Sequence, residues 1–158
     1  MYKDLADFSV EYLQKKGAEY AESRLETNET SMFVLNDGNP EISSFDDYSG
    51  IGVRFSVNKN MGFVSINNLE KNKIRNLLDK SFRLTERSSR IADKIDFAES
   101  KTSKSKCKIH QKVNIEDLGP DKKLKILNDL NKDLNSDHKY FSLSDRLTKK
   151  YYVNTEGS

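Results

Sequence analysis

Three residues have side chains that commonly hold metal ions or act as nucleophiles: Cys107, His110 and His138. Cys107 and His110 are three positions apart, so both could approach one ion, but a zinc site needs three or four converging ligands. Lysines surround this pair, and their positive charge opposes the binding of a cation. His138 lies in the turn-like stretch NSDHKY. The sequence therefore predicts no metal site in this chain.

Nucleophilic and acid–base catalysis also lack the partner groups that they need. Lysines flank Cys107 and would favour its thiolate. However, the sequence around it shows no arrangement of a histidine and a carboxylate that would activate a nucleophile, and a loop does not preorganise one. The carboxylate pairs Asp46-Asp47 and Glu116-Asp117 flank turns, where Asp is favoured for backbone hydrogen bonding. Acid–base work would require burial or a like-charge neighbour to shift a pKa. We predict no catalytic residue.

Gly50, Gly52 and Gly62 do not form a phosphate-binding loop, because they do not open a helix after a strand and their spacing matches no nucleotide fingerprint. Glycine inside a strand more often marks a bulge or the close approach of another backbone. If another backbone does approach these glycines closely, it could be that of a bound peptide lying along the strand.

The lysine-rich segment at 101–108 could contact nucleic acid or an acidic protein, but no aromatic residue is interleaved through it to stack on bases. With 27 basic and 25 acidic residues, the net charge of +2 gives no global field that would select nucleic acid. We predict a solvated loop and no nucleic-acid partner. A separate aromatic group is explained by core packing and cross-strand pairing, with an exposed interface as the alternative. Its members are Tyr140, Phe141, Tyr151 and Tyr152.

The pattern of apolar residues predicts a helix at 3–16, ended by Gly17, followed by strands at 17–27, 30–36 and near 40–46. The sequence Asn36-Asp37-Gly38 predicts a tight turn. The clearest element is a hairpin at 50–66, in which apolar residues alternate with polar ones on either side of a turn at 58–60.

The second half of the chain has two further helix patterns. One predicts a helix at 68–89, with Asn67 as its N-cap and Glu70 three residues on. A short strand is predicted at 109–115, and Gly119-Pro120 opens the next helix. Strands at 138–146 and 149–154 close the chain. The order predicts an α+β fold, with about three helices packed on a mainly antiparallel twisted sheet.

Composition limits the chain to one domain, 1–158, with a modest core, since 35% of its residues are hydrophobic and 33% are charged. A single cysteine allows no intrachain disulfide. No apolar run is long enough to span a bilayer, and acidic residues interrupt the N-terminal pattern, which excludes a secretory signal peptide. We expect a cytoplasmic protein with no membrane partner.

Three segments together resemble one family. The stretch at 17–27, GAEYAESRLET, follows an amphipathic helix. The stretch at 49–69, SGIGVRFSVNKNMGFVSINNL, runs from a Gly-x-Gly-Val-Arg strand through a turn into a Gly-Phe strand and a helix. The stretch at 151–158, YYVNTEGS, ends in an Asn-Thr-Glu-Gly turn. In this order and spacing they are similar to the N-terminal domain of the TldD/PmbA (TldE) metallopeptidases, also known as modulators of DNA gyrase.

The resemblance implies the first domain of a two-domain protein. It implies a zinc metallopeptidase that acts on peptides or small unfolded proteins, and a homo- or heterodimer with a TldD/PmbA-family partner. The family's His-Glu-x-x-x-His motif does not occur here, because Gln111 follows His110 and Lys139 follows His138. We therefore expect a fragment of a longer protein that is catalytically incomplete alone and whose zinc site lies in the missing C-terminal domain. The alternative is a stand-alone, non-enzymatic peptide- or protein-binding module.

The resemblance places eight residues in family motifs, as candidates for a substrate cleft. They are Gly50, Gly52, Arg54, Gly62, Phe63, Asn154, Glu156 and Gly157. We expect the glycines to serve backbone geometry or close approach. Arg54 lies on the polar side of its strand, where it could pair with a carboxylate or face a substrate cleft. Asn154 and Glu156 suit the capping of a turn.

Overall fold

A computed structural model describes residues 2–91, 93–98, 102–113 and 117–157. These residues form three helices and a four-stranded antiparallel sheet of order β3-β2-β1-β4. The elements, in chain order, are α1 (Lys3–Lys15), β1 (Tyr20–Asn36), β2 (Asn39–Val57), β3 (Asn60–Ile66), α2 (Lys71–Ser88), α3 (Pro120–Asp133) and β4 (Tyr140–Asn154). The predicted α+β class, with helices on a mainly antiparallel sheet, is confirmed.

Three strands are longer than the sequence predicts. The separate strands predicted at 17–27 and 30–36 form one strand, β1, and the same fusion gives β2 and β4. Polar stretches such as TNET at 27–30 look like breaks because their apolar content falls. A strand does not end there, since the backbone hydrogen bonds of a ladder do not depend on apolar side chains.

Two tight turns join the first three strands. Asp37 and Gly38 have φ angles of 46° and 81°, and Asn58 and Lys59 have φ angles of 50° and 60°. Two consecutive residues with positive φ make the two-residue turn that matches the twist of a β-hairpin. Both predicted turns are confirmed, although Asn60 already belongs to β3.

The chain divides into two compact units. The first comprises the residues up to Thr27, the range Ser49–Lys106 and the residues from Lys149 onward; the second comprises Asn28–Tyr48 and Cys107–Thr148. Strands β1, β2 and β4 are each divided between the two units, with one stretch in each.

The core of the first unit lies between its strands and the helices α1 and α2. Phe55 on β2 stacks on Phe82 of α2, with 6.0 Å between the ring centroids. The two helices are joined at Asp79, whose carboxylate accepts a 2.9 Å hydrogen bond from the Tyr12 hydroxyl and pairs with Lys16. Helix α1 ends at Gly17, as predicted, because its φ of +96° turns the chain away from the helix.

Helix α2 is shorter than the predicted 68–89, and the prediction of Asn67 as its N-cap is wrong. The N-cap is Glu70, whose side chain makes no capping bond. The buried stripe consists of Ile74, Leu78, Phe82 and Thr85, which recur at helical spacing. Leu77, predicted on the same stripe, is 40% exposed, because it lies at the edge of the apolar face.

The second unit has its own small core, in which Leu127 of α3 packs on Phe33 and Leu35 of β1. Helix α3 begins as predicted, with Gly119 as N-cap and Pro120 at the first helical position. The strand predicted at 109–115 is wrong over 109–113, which form no strand; 114–115 lie outside the described residues. In the described ranges, no helix is long and apolar enough to cross a membrane.

Candidate functional site

The β2–β3 hairpin of the first unit carries five of the eight family-motif residues. In its register, Arg54 pairs with Phe63, Phe55 with Gly62, and Gly52 with Ser65. Phe55 points into the core, whereas Phe63 is 66% exposed and lies on the same side of the sheet as Arg54. The hairpin therefore has one face for packing and one face, with Arg54 and Phe63, that is open.

Gly62 is a position of close approach between β3 and α2. A Cβ atom built there would lie 2.4 Å from the Thr85 Oγ1 atom and 2.4 Å from the Phe55 Cζ atom. No side chain fits without moving the helix or the aromatic ring. Gly52 is different, because its Cβ would meet the Phe63 ring at 3.7 Å, an ordinary contact. At Gly50 the nearest atom, the Ile66 carbonyl oxygen, would be 3.4 Å away.

Arg54 forms an ion pair with Glu22, a residue that the sequence analysis placed in no site. The Arg54 Nη2 atom lies 2.9 Å from Glu22 Oε1, and Arg24 Nη2 lies 3.3 Å from the same oxygen. The Glu22 side chain is only 5% exposed, against 41% for Arg54 and 66% for Arg24. The alternation of apolar and polar residues along β1 predicts that Glu22 lies on the solvent-exposed face of the sheet. Neighbouring side chains nevertheless cover Glu22.

Two tyrosines complete the shell of Glu22. The hydroxyls of Tyr20 and Tyr152 donate to Glu22 Oε2 over 2.7 Å and 3.0 Å, and they lie 3.1 Å from each other. Burial acts to raise the pKa of Glu22, but the hydrogen bonds from Tyr20, Arg54 and Tyr152 outweigh it and lower the pKa. Burial, followed by the bonds to Tyr152 and Glu22, raises the pKa of Tyr20. The carboxylate stays ionised and the phenol stays protonated.

The late turn of the family motif meets this cluster. The Asn154 Oδ1 atom accepts a 3.1 Å hydrogen bond from the Glu156 backbone N–H, and the Asn154 amide donates to Tyr152 Oη over 3.2 Å. The Thr155 N–H donates to the Ala21 carbonyl over 2.9 Å, next to Glu22 in β1. Asn154 thus caps the turn, and Gly157 follows with a φ of +99°. Segments far apart in the sequence converge on Glu22.

A cleft of about 380 Å³ opens beside Tyr20. The extended residues 93–98 form one wall, since the Ile95 N–H donates to the Lys59 carbonyl over 2.8 Å and Lys59 Nζ lies 2.6 Å from Asp96 Oδ1. Phe97 packs on Tyr20 with 5.0 Å between ring centroids. Through Phe97, this wall covers one side of the Tyr20 ring.

The arrangement can position and recognise groups, but it is poorly built to transfer protons. Glu22 accepts from the Arg54 guanidinium and two hydroxyls and also faces Arg24, so it has little capacity left to act as a base. Arg54 differs, because its side chain is 41% exposed and a guanidinium has five N–H donors, of which the contact to Glu22 uses one. The exposed donors could bind a carbonyl or carboxylate group at the surface.

The other residues with reactive side chains do not come together. Cys107 is an exposed free thiol, and His110 is exposed. The His138 side chain is 92% exposed. Asp46 and Asp47 are exposed as well. Over residues 2–91, 93–98, 102–113 and 117–157, no group of three or more His, Cys, Asp or Glu side chains could hold a metal ion.

Two further predictions concern segments with little regular structure. Residues 102–108 of the lysine-rich segment are exposed and form neither helix nor strand, whereas Lys101 lies outside the described residues. Glu116 of the Glu116-Asp117 pair also lies outside them. The predicted aromatic group is divided: Phe141 packs on the core of the second unit and Tyr151 on that of the first.

Comparison with known proteins is consistent with this arrangement. Residues 21–85 match the family model described as PmbA/TldA metallopeptidase domain 1. The chain is 28% identical over 154 residues to Metalloprotease MJ0996 of Methanocaldococcus jannaschii, in an alignment that covers 94% of this chain and 34% of that protein.

Two solved structures share the fold across nearly the whole chain. A candidate modulator of DNA gyrase from Bacteroides thetaiotaomicron superposes with a TM-score of 0.80 and 19% identity, over 99% of this chain and 37% of that one. TldE from Thermococcus kodakarensis superposes with a TM-score of 0.61 and 14% identity, over 98% and 35%. The chain thus spans about a third of the length of the relatives that it matches. Over residues 21–85, this chain is therefore similar to domain 1 of the PmbA/TldD metallopeptidases, and it shares the fold of the two solved structures.

Proposed function

We propose that this chain is the substrate-channel and dimerisation domain of a PmbA/TldD-type zinc metallopeptidase that acts on peptides or small unfolded proteins. We propose further that it is catalytically incomplete alone. The metal and the reacting groups then belong to a C-terminal domain outside this chain, and the domain described here guides the substrate.

The observation that carries the proposal is the open face of the β2–β3 hairpin. Phe63 is 66% exposed and is paired in register with Arg54, whose side chain is 41% exposed and has N–H donors beyond the one that faces Glu22. Strand β3 is at the end of the sheet, so its outer edge has no neighbouring strand in the described sheet. An extended peptide can add to such an edge through its backbone, while an exposed aromatic ring and a guanidinium contact its side chains.

The described residues do not fit the family's zinc site. Cys107 and His110, the candidates by residue type, are exposed, and no third ligand joins them among the described residues. The saturated shell of Glu22 supplies no general base. We therefore propose that this domain contributes binding and alignment, and that zinc chemistry depends on residues of the C-terminal domain.

The purified chain tests both parts of the proposal. We expect no cleavage of an unfolded protein in the presence of zinc, and binding of that protein with an affinity that falls in the variant Phe63→Ser. Leu84→Ser is the matched control, because Leu84 is 58% exposed on α2 and carries no role here. Cleavage by the chain alone, one tightly held zinc per chain, or equal binding by Phe63→Ser and the unmodified chain would contradict the proposal.

We also propose a homo- or heterodimer with a PmbA/TldD-family partner in the cytoplasm. Exposed apolar side chains on β2, including Ile42 and Tyr48 at 42% and 51% exposure, support a protein contact. Sedimentation equilibrium of the chain, alone and mixed with a family member, measures the association. A monomer under both conditions would contradict it. Cell fractionation tests the location.

A stand-alone module that binds peptides or a protein is the second candidate, and the same open face favours it. The two candidates differ in what happens when the C-terminal two thirds of a family member is supplied. A gain of peptidase activity on mixing supports the metallopeptidase domain. Peptide binding without any such gain, together with a reading frame that ends at Ser158, supports the stand-alone module.

A further inference from the structure

A pocket of about 280 Å³ lies in the second unit, beside the first turn of α3. We call it the α3 pocket. The apolar part of its lining consists of Phe45, Leu118, Pro120 and Leu147. The polar part comprises Ser31 of β1, Lys123 of α3 and Asp145 of β4, together with Glu29, Thr30, Gln111 and Arg146. Apolar side chains beside converging polar groups are a common form of a small-ligand site.

The three polar residues are tightly joined. Lys123 Nζ lies 2.7 Å from Asp145 Oδ2 and donates to Ser31 Oγ over 2.9 Å. The Ser31 hydroxyl donates to the same Asp145 oxygen over 2.6 Å. The side chains of Lys123 and Asp145 are 7% and 16% exposed. Two buried charges at this distance hold each other in place and neutralise each other.

This group retains unused hydrogen-bonding capacity. A lysine ammonium has three N–H donors, and Lys123 uses two of them on Asp145 and Ser31. Asp145 accepts both of its bonds through Oδ2, and Oδ1 accepts none from the described residues. One donor and one acceptor therefore remain on adjacent residues that line the same pocket.

Binding fits this geometry better than catalysis. A serine beside a lysine can act as a nucleophile when the neutral amine takes its proton. Here the lysine ammonium donates to Ser31 and pairs with the Asp145 carboxylate, and an ammonium ion cannot take a proton. Ser31 donates its own proton to Asp145 rather than to Lys123.

We propose that the α3 pocket binds a primary carboxamide attached to an apolar group. Its carbonyl accepts from Lys123, one N–H donates to Asp145, and the apolar part contacts Phe45 and Leu118. A primary carboxamide presents both groups on one edge, whereas the trans amide of a peptide backbone presents them on opposite edges. The inferred source is a glutamine or asparagine side chain of a bound peptide; for that source the inference rests on the proposed function.

Nitrogen-15 NMR titration of the whole chain with 3-phenylpropanamide tests the pocket. We expect saturable shifts at the backbone N–H groups around the pocket. The methyl ester of the same acid, which lacks the N–H donor, and the N-methyl amide, which presents its N–H on the opposite edge, should each bind roughly tenfold more weakly. Equal affinity for the amide and the ester would overturn the proposal.

A paired variant separates recognition from folding. Lys123→Met with Asp145→Leu replaces both charges with apolar groups, a change that leaves no unpaired buried charge and is often neutral for stability. We expect it to remove the preference for the amide. The control is Lys132→Met with Asp129→Leu, an exposed pair on the same helix, with side chains 75% and 54% exposed. It should bind like the unmodified chain. A paired variant that folds and keeps the preference overturns the proposal.

A capped pentapeptide with a central glutamine, compared with the same peptide carrying glutamate, tests the source. Weaker binding of the glutamate peptide, whose ionised side chain has no N–H to donate to Asp145, supports a side-chain carboxamide. Equal binding of both peptides overturns that source. Phenylpropanamide contains no peptide bond to cleave and needs no partner domain. Failure of the pocket and failure of the proposed peptidase role are therefore separate results.

Discussion

The guanidinium of Arg54 lies 2.9 Å from the carboxylate of Glu22, across the sheet from β2 to β1. This contact joins the Gly-x-Gly-Val-Arg strand to the strand that carries GAEYAESRLET. The turn at Asn154 reaches the same carboxylate through Tyr152. Glu22 therefore lies at the meeting point of the three segments by which the sequence resembles the TldD/PmbA metallopeptidases, although Glu22 is not one of the eight motif residues.

Loss of the Arg54 cation should destabilise the fold. Arg54→Met leaves the buried Glu22 carboxylate without its nearest cation, and we expect a loss of roughly 2 kcal/mol in the free energy of unfolding, measured by urea denaturation. Arg24→Met is the matched control. Arg24 is 66% exposed and more distant, so its loss should cost under about 0.5 kcal/mol. Equal effects of the two variants would show that Arg54 has no special role.

The stability of the chain should depend on Glu22 in acid. Because the pKa of Glu22 is lower in the folded chain than its ordinary value of 4.5, the ionised form stabilises the fold. That contribution is complete above pH 4.5 and is lost as pH falls through the lower, folded pKa. In Glu22→Gln, the free energy of unfolding should change less with pH over this acid range. A matching pH dependence in both proteins would contradict the assignment.

A methyl group at Gly62 should be costly. Gly62→Ala places a carbon 2.4 Å from both the Phe55 ring and the Thr85 Oγ1 atom, so the ring or helix α2 must move. We expect a loss of about 1–3 kcal/mol, as for other overpacked cores, measured by thermal or urea unfolding. Gly50→Ala is the control, since its nearest atom would be 3.4 Å away, and its effect should stay within about 0.5 kcal/mol. Similar losses would contradict the close approach.

The turn after β4 should depend on the side chain of Asn154. Asn154→Ala removes the acceptor of the Glu156 N–H and the donor to Tyr152, and we expect a loss of roughly 1 kcal/mol in unfolding free energy. Glu156→Ala keeps the backbone N–H and should have little effect on stability. Hydrogen exchange of the Glu156 N–H is the direct measurement, and unchanged protection in Asn154→Ala would contradict the capping role.

Local patterns in the sequence predict much of this fold. Alternation around Val53 and the turn residues at Asn58 specify the hairpin, because side chains of a strand alternate faces and tight hairpin turns require positive φ. Pro120 marks the start of α3 for a similarly local reason. Such patterns do not predict that β1, β2 and β4 are continuous strands, because the hydrogen-bonded ladder of the sheet continues where the apolar content of the sequence falls.

The helices, the hairpins, the α+β class and the resemblance to the TldD/PmbA metallopeptidases follow from the sequence, since each depends on neighbouring residues or on motifs in order. The burial of Glu22, its pairing with Arg54 and the meeting of Ser31, Lys123 and Asp145 are visible only in the folded chain. Those contacts join residues far apart in the chain, and no local pattern records which distant side chain will neutralise a buried charge.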